Sequence, residues 1–297
     1  MRRGTYSIVA RDAASGEFGV AVQSHWFSVG PVVAWARAGV GAVATQSIAD
    51  PSYGPRLLDL MARGEGPGDA LAGLLERDEQ AAFRQVAAID ALSRVVCHTG
   101  ERCIAYAGNI AGAGYCAQAN MMAAPGVWPA MARAFESAPG PLARRLMAAL
   151  HAAEAAGGDL RGRQSAALLV VPARGEAWET VRDLRVDDSA QPLTELDRLL
   201  DLADAYEAAA RADELTGAGR HAEAGELYQR ASALAPGNQE LLFWSGLAAA
   251  QAGDMALALE RVRCAIAARP AWRELLERLE PDIAPGAQAV RDALRAG

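Results

Sequence analysis

Thr5 offers the most reactive chemistry in this chain, because it lies close to the beginning of the chain within Thr5-Tyr6-Ser7-Ile8-Val9-Ala10-Arg11-Asp12. A threonine hydroxyl is a weak nucleophile until a base takes its proton. At a chain terminus the residue brings its own base, since a free α-amine has a reference pKa of about 7.7–8.0 and can accept that proton. Further polar groups close later apolar runs. Ser24 and His25 end Phe18–Trp26, Gln46 ends the run from Ala38, and Asn120 follows Gln118-Ala119. His25 is an acid or base by type. Gln46 and Asn120 carry amide N–H groups of the kind that hold a carbonyl oxygen as it gains negative charge. Arg163 suits a two-pronged bond to a substrate carboxylate. Ser24 and Asp187 complete the set as substrate-binding candidates beside it. Every one of these has an ordinary structural reading as well. Thr5 is a β-branched strand starter, Asn120 a turn residue, and Arg163 an anchor for Asp159 or Asp187. Asp183, Arg185, Asp187 and Asp188 read as a salt-bridged exit from the core.

The elements that must position these residues follow from periodicity. Residues 5–12 and 17–24 run apolar at strand length around a Ser15-Gly16 turn, which predicts a hairpin. Val32–Ala36 and Val40–Gln46 predict a second pair. Helices follow Pro51, a favoured residue at a helix start, and run from Pro67 to Asp78. Gln85–Asp90 and Arg94–Thr99 predict another hairpin, then glycine-rich strands over 108–120. Val127–Ser137 and Leu142–Ala156 read as helices. Ser165–Val171 is a short continuous apolar run of a strand buried on both faces, and Val181–Val186 is a last strand. Strands, two helices, strands, two helices and strands again suit two stacked sheets with helices outside.

These segments, with Asn120 and with Gly162-Arg163-Gln164-Ser165-Ala166-Ala167-Leu168-Leu169-Val170, resemble the domain-of-unknown-function family 1028 over roughly residues 5–200. The resemblance implies an N-terminal-nucleophile (Ntn) hydrolase-like αββα sandwich, with Thr5 on a central sheet. It implies hydrolysis of a C–N amide bond in a small molecule or peptide. Thr5 would be the nucleophile and Asn120 or a backbone N–H would hold the oxyanion. Two positions depart from the family pattern. Members place the threonine directly after the initiator methionine, whereas Met1-Arg2-Arg3-Gly4 precede it here. The family's glycine between Gln and Asn is Ala119. A catalytic α-amine therefore requires cleavage of the Gly4–Thr5 bond, since removal of Met1 alone would leave Arg2 at the terminus.

Composition narrows the class. The chain has 297 residues, 52% of them apolar, with a net charge of −7, enough for a core and a second, smaller domain. There is no lysine. An acidic chain with scattered arginines lacks the basic face that nucleic acid requires. The run from Val29 to Val43 contains Arg37 and three glycines and does not suit a membrane span. Arg2-Arg3 leads into no uninterrupted apolar segment, so export is not expected and a cytoplasmic protein is. Cys97, Cys103, Cys116 and Cys264 lack zinc-site spacing. They read as reduced, buried thiols, with a disulfide among the first three reserved for an exported protein. No metal or other cofactor is expected, because nucleophile and base would share one residue.

From Leu193 onward only helical periodicity remains. His221–Pro236 aligns with Gly253–Pro270, pairing Ala224 with Ala258, Tyr228 with Val262, Ala231 with Ala265 and Pro236 with Pro270, each 34 apart. That is the tetratricopeptide period. The expected organisation is residues 1–190 as the Ntn-like domain and 191–297 as a helical tail of two tetratricopeptide-like repeats plus flanking helices. Tyr206, Asp213, Phe243 and Gln251 would line its concave face. The tail is then the candidate surface for a protein partner, and a homo-oligomer stays open. The competing expectation is a catalytically silent Ntn-like scaffold whose tail mediates protein–protein contacts.

Overall fold

The structure is a computed structural model that describes residues 4–296. The chain divides into two units, 1–197 and 198–297.

The first unit begins with β1 (Thr5–Arg11) and β2 (Phe18–Ser24), then a short helix α1 (Gly30–Val33), β3 (Ala34–Arg37) and β4 (Gly41–Ser47). Helices α2 (Tyr53–Ala62) and α3 (Pro67–Leu75) lead to β5 (Arg84–Asp90), β6 (Val95–Thr99), β7 (Gly108–Gly112) and β8 (Tyr115–Asn120). Helices α4 (Val127–Ser137) and α5 (Leu142–Ala155) precede β9 (Ser165–Val171) and β10 (Arg182–Val186). Two boundaries differ from the sequence expectation by more than one residue. Val32 belongs to α1, because Pro31 fixes a helical φ in its first turn, and the strand starts at Ala34. The helix from Pro67 stops at Leu75, leaving Asp78 free to bind Arg84 in the following turn.

The strands form two antiparallel sheets. One has the order β10-β9-β2-β1-β8-β7, the other β3-β4-β5-β6. Their faces pack on one another, while α4 and α5 cover the outer face of the first sheet and α2 and α3 that of the second. Side chains alternate along a strand, so Thr5, Ser7 and Val9 point inward to the second sheet, with Ser24, Val22 and Val20 from β2 and Asn120, Gln118 and Cys116 from β8. The space between the sheets is graded. Its middle and one end are apolar, built from Val9, Phe18, Val20, Val22, Ala42, Ala44, Ala87 and Ile89. Its other end is polar, and Thr5 lies there.

The reduced-thiol expectation fails for two cysteines. Cys97 on β6 and Cys116 on β8 form a disulfide between the two sheets, with Cα atoms 6.7 Å apart. The 19-residue separation carried no sign of this; only the stacking of the sheets brings the two residues opposite each other. Cys103 and Cys264 are free thiols.

The second unit contains the C-terminal part of α6 (Pro192–Gly217), then α7 (His221–Leu234), α8 (Gln239–Gln251), α9 (Met255–Ala268), α10 (Ala271–Arg278) and α11 (Ala287–Ala296). The residues paired at the 34-residue spacing, Ala224 with Ala258, Tyr228 with Val262 and Ala231 with Ala265, are all buried. A Cβ on Gly246 would stand 2.8 Å from the Val262 side chain and 3.1 Å from the Ala258 carbonyl. Glycine is therefore what lets α8 and α9 cross so closely. Phe243 departs from its expected place on a concave surface. It is fully buried and packs against Trp244 and Trp272, because α10 and α11 close over this part of the tail and Leu276, Leu279, Ala287 and Val290 complete the core there.

Two expected outcomes follow from this packing. Replacing Cys97 and Cys116 by serine should lower the unfolding free energy by about 3 kcal/mol, the loop-closure value for a separation of this size. Denaturant titration checks this, and the unaltered protein should show the same loss under full reduction. In the tail, Ala205, Ala208, Ala212 and Leu215 of α6 bury Ala224, Tyr228, Ala231 and Leu241. A fragment of residues 191–297 should melt cooperatively by circular dichroism, while one beginning at Thr216 should be largely unfolded.

Candidate active site around Thr5

Thr5 opens β1 between two neighbours, opposite Ser24 of β2 and opposite Asn120 of β8. All three side chains are buried. The Thr5 hydroxyl donates to Ser24 Oγ at 3.1 Å. Ser24 Oγ in turn donates to the carbonyl oxygen of Gly4 at 2.5 Å. A second donor, Arg161 Nη2, reaches the same oxygen at 2.8 Å. The carbonyl that precedes the candidate nucleophile is thus held by a hydroxyl and a guanidinium together.

The loop between α5 and β9 supplies Arg161 and fixes it through Asp159. The Asp159 side chain is inaccessible to solvent and pairs with Arg161 at 2.8 Å. Among the described residues it accepts four hydrogen bonds. Oδ1 takes the backbone N–H of Arg161 at 2.9 Å and Arg161 Nε at 3.1 Å; Oδ2 takes Arg161 Nη2 at 2.8 Å and the backbone N–H of His25 at 3.0 Å. A carboxylate has about four such acceptor positions, so those of Asp159 are filled. The pair Asp159 and Arg161 was not among the residues singled out for chemistry. The signal available was Gly158-Asp159-Leu160-Arg161-Gly162, a glycine-flanked acid and base two apart immediately before a buried strand.

Behind Thr5, amide side chains bridge the sheets. Gln46 Nε2 donates to the Thr5 carbonyl at 3.1 Å and to Gln85 Oε1 at 2.7 Å, while Gln46 Oε1 accepts from Ser7 Oγ at 2.7 Å. Gln85 Nε2 donates to the Ala119 carbonyl at 2.9 Å and to Thr99 Oγ1 at 2.9 Å. Gln118 Nε2 crosses to the Ala44 carbonyl at 3.1 Å. Asn120 Nδ2 donates to Gln85 Oε1 at 3.0 Å, and its buried Oδ1 has no partner among the described residues. Gln46 therefore spends both of its amide N–H groups inside this network, and Asn120 one of its two. Ser47 and Met121, each directly after one of them, have left-handed φ values of 71° and 58°, so both strands end in conformations that non-glycine residues rarely adopt.

Other singled-out residues lie further out. His25 is partly exposed, its Nδ1 3.3 Å from the Arg163 carbonyl. Arg163 does not anchor Asp159 or Asp187. Its guanidinium bonds Glu154 at 2.5 Å and Gln191 at 2.9 Å. Glu154 also accepts from Tyr6 OH at 2.7 Å, and burial followed by this neighbouring carboxylate pushes the Tyr6 hydroxyl well above its usual range. Asp187 accepts from Ser28 Oγ at 2.7 Å and tethers the segment after β2. Asp183 pairs with Arg185 at 3.0 Å. Among the described residues no group of three or more His, Cys, Asp or Glu side chains is placed to hold a metal ion, and no helix is long and apolar enough to cross a membrane.

A sequence profile described as a family of unknown function (DUF1028) matches residues 5–196. A crystal structure of a protein of that same family from Silicibacter pomeroyi superposes with a TM-score of 0.61 at 31% identity, covering 66% of this chain and 88% of the other. The chain belongs to the DUF1028 family. The Anbu protein (ancestral beta-subunit) from Yersinia bercovieri aligns with a TM-score of 0.31 at 11% identity over 64% of this chain and 91% of the other. No curated protein matches.

Arg84 ties the segment after β4 to the turn before β5. Opposite Ser47 in the sheet register, it donates to the Ile48 carbonyl at 2.5 Å and to Asp78 at 2.7 Å. The hydrogen bond from Arg84 is the main cause that lowers the Asp78 carboxyl from 3.8 to about 2. A carboxyl with a depressed native pKa stabilises the fold above its unfolded value, and that contribution is lost as pH falls through the native value. Asp78→Asn should therefore lower the melting temperature at pH 6 and flatten its fall between pH 4 and pH 2, measured by thermal scans across that range.

Proposed function

We propose that this protein is an N-terminal-nucleophile amidohydrolase that matures by cutting its own Gly4–Thr5 bond. The observation that carries the reading is the environment of the Gly4 carbonyl oxygen, which accepts from Ser24 Oγ and Arg161 Nη2 while the Thr5 hydroxyl lies one hydrogen bond away on Ser24. Donors aimed at an oxygen that becomes an anion in the transition state are the largest single source of acceleration in acyl transfer. In maturation, Thr5 Oγ bonds to the Gly4 carbonyl carbon, the C–N bond breaks, and the hydroxyl proton passes to the Thr5 nitrogen. Water then hydrolyses the ester, leaving a Gly4 carboxylate and a free Thr5 hydroxyl and amine. Turnover repeats the step on an external amide. The α-amine takes the hydroxyl proton and delivers it to the departing amine, and water releases the acid.

In this reading Ser24 and Arg161 are the oxyanion donors in place of Asn120. Gln46 and Asn120 fix the Thr5 backbone and strand end, and Asp159 aims Arg161. The stacked sheets with helices on both outer faces agree with the αββα arrangement expected of the Ntn class, which supports the assignment. The 34-residue spacing of buried small residues and the close crossing at Gly246 support a tetratricopeptide-like tail, the candidate surface for a protein partner. The silent-scaffold reading draws on one fact, that Gly4 and Thr5 are both buried.

Intact-mass measurement on purified, long-incubated protein separates the two. Material beginning at Thr5 is expected. Thr5→Ala should stop its appearance, and Ser24→Ala and Arg161→Met should each slow it by roughly 10²–10³-fold. An uncut chain after prolonged incubation would leave the scaffold.

A further inference from the structure

The wall beside Gly4 defines which acyl groups fit. The Gly4 α-carbon packs against Asp159, and a Cβ built on it would lie 2.8 Å from both carboxylate oxygens and 2.9 Å from the carbon between them. Non-bonded carbon and oxygen atoms do not approach so closely. A flexible side chain would swing aside, but Asp159 is solvent-inaccessible and held by four hydrogen bonds, two of them from the backbone N–H groups of His25 and Arg161. Moving it would break those bonds and release Arg161 from the carbonyl. The same side chain therefore aims the donor and closes the space next to the reacting carbon.

We infer that the volume taken by Gly4 is the acyl subsite of the mature protein, and that Asp159 makes it exclude acyl groups carrying an L-configured β-carbon. This rests on Thr5 being the nucleophile, and it adds the substrate class. The carbonyl of an external amide binds where the Gly4 carbonyl binds, on Ser24 and Arg161, so its α-carbon meets the same wall. Glycyl and straight-chain acyl amides fit; L-alanyl and other amides carrying an L-configured β-carbon do not. Asp159 is a specificity-determining residue that also positions Arg161.

The test uses protein whose first residue is Thr5, released from a ubiquitin fusion. Binding of glycine and of L-alanine, the acids left by hydrolysis of the two amide types, is measured by calorimetry. Turnover of glycyl and L-alanyl 4-nitroanilide is followed in parallel. Glycine is expected to bind at least 10-fold more tightly than L-alanine, and the ratio should approach one in Asp159→Ala. Equal binding of both amino acids by the unaltered chain, or no binding of either, overturns the subsite whether or not Asp159→Ala folds. The two readings fail separately. Glycine selectivity in binding without Thr5-dependent turnover sinks the hydrolase and leaves the subsite, whereas Thr5-dependent turnover with no glycyl preference does the reverse.

Discussion

The strip of carboxamides between the two sheets is the constraint on which the candidate site depends. Gln46, Gln85, Gln118 and Asn120 are buried together at one end of an otherwise apolar interior. A buried amide left unpaired costs more than an amide bond gains, so these groups can be accommodated only where both sheets keep their register. The Thr5 carbonyl is one of the acceptors they need. A one-residue slip of β1 would turn Thr5 and Ser7 outward and bring Tyr6 and Ile8 into the strip. The nucleophile candidate is thus located by the energetics of the whole sandwich. The disulfide between Cys97 and Cys116 ties the same two strands that contribute Thr99 and Gln118 to that end.

Around Thr5 the hydrogen bonds run in one direction. Thr5 donates to Ser24 and Ser24 to the Gly4 carbonyl, and Asp159 orients Arg161 onto the same oxygen. Each polar group is held by a partner that is itself held. Such arrangements keep donors in place before charge develops, which is where acyl-transfer sites derive most of their effect. Rigidity has a second result here, since the saturated carboxylate cannot give way to a neighbour.

Strand and helix placement along the chain was legible because the apolar runs have clear lengths and the turns carry glycine and proline. Thr5, Ser24, Gln46 and Asn120 could be picked out as polar residues at strand ends, and the structure does gather them at one end of the sheets. What sequence could not supply was direction. Whether an amide side chain faces a substrate or a second sheet depends on register, and Gln46 and Asn120 prove to donate inward. Arg163 looked more useful than Arg161, two residues away, because both lie in one loop and only its turn decides which reaches Gly4. The disulfide was hidden for a related reason, as its halves belong to different sheets. In the tail, Phe243 was assigned to a surface because the helices that cover it, α10 and α11, lie beyond the repeat that suggested the assignment.

The use of arginine throughout has an experimental consequence. With no lysine in the sequence, the α-amine at the chain terminus is the sole primary amine of the polypeptide. Reductive methylation with isotope-enriched formaldehyde would therefore place one pair of methyl labels on each molecule. In protein that begins at Thr5, that label would report the ionisation of a single nitrogen by magnetic resonance, with no ε-amine resonances overlying it.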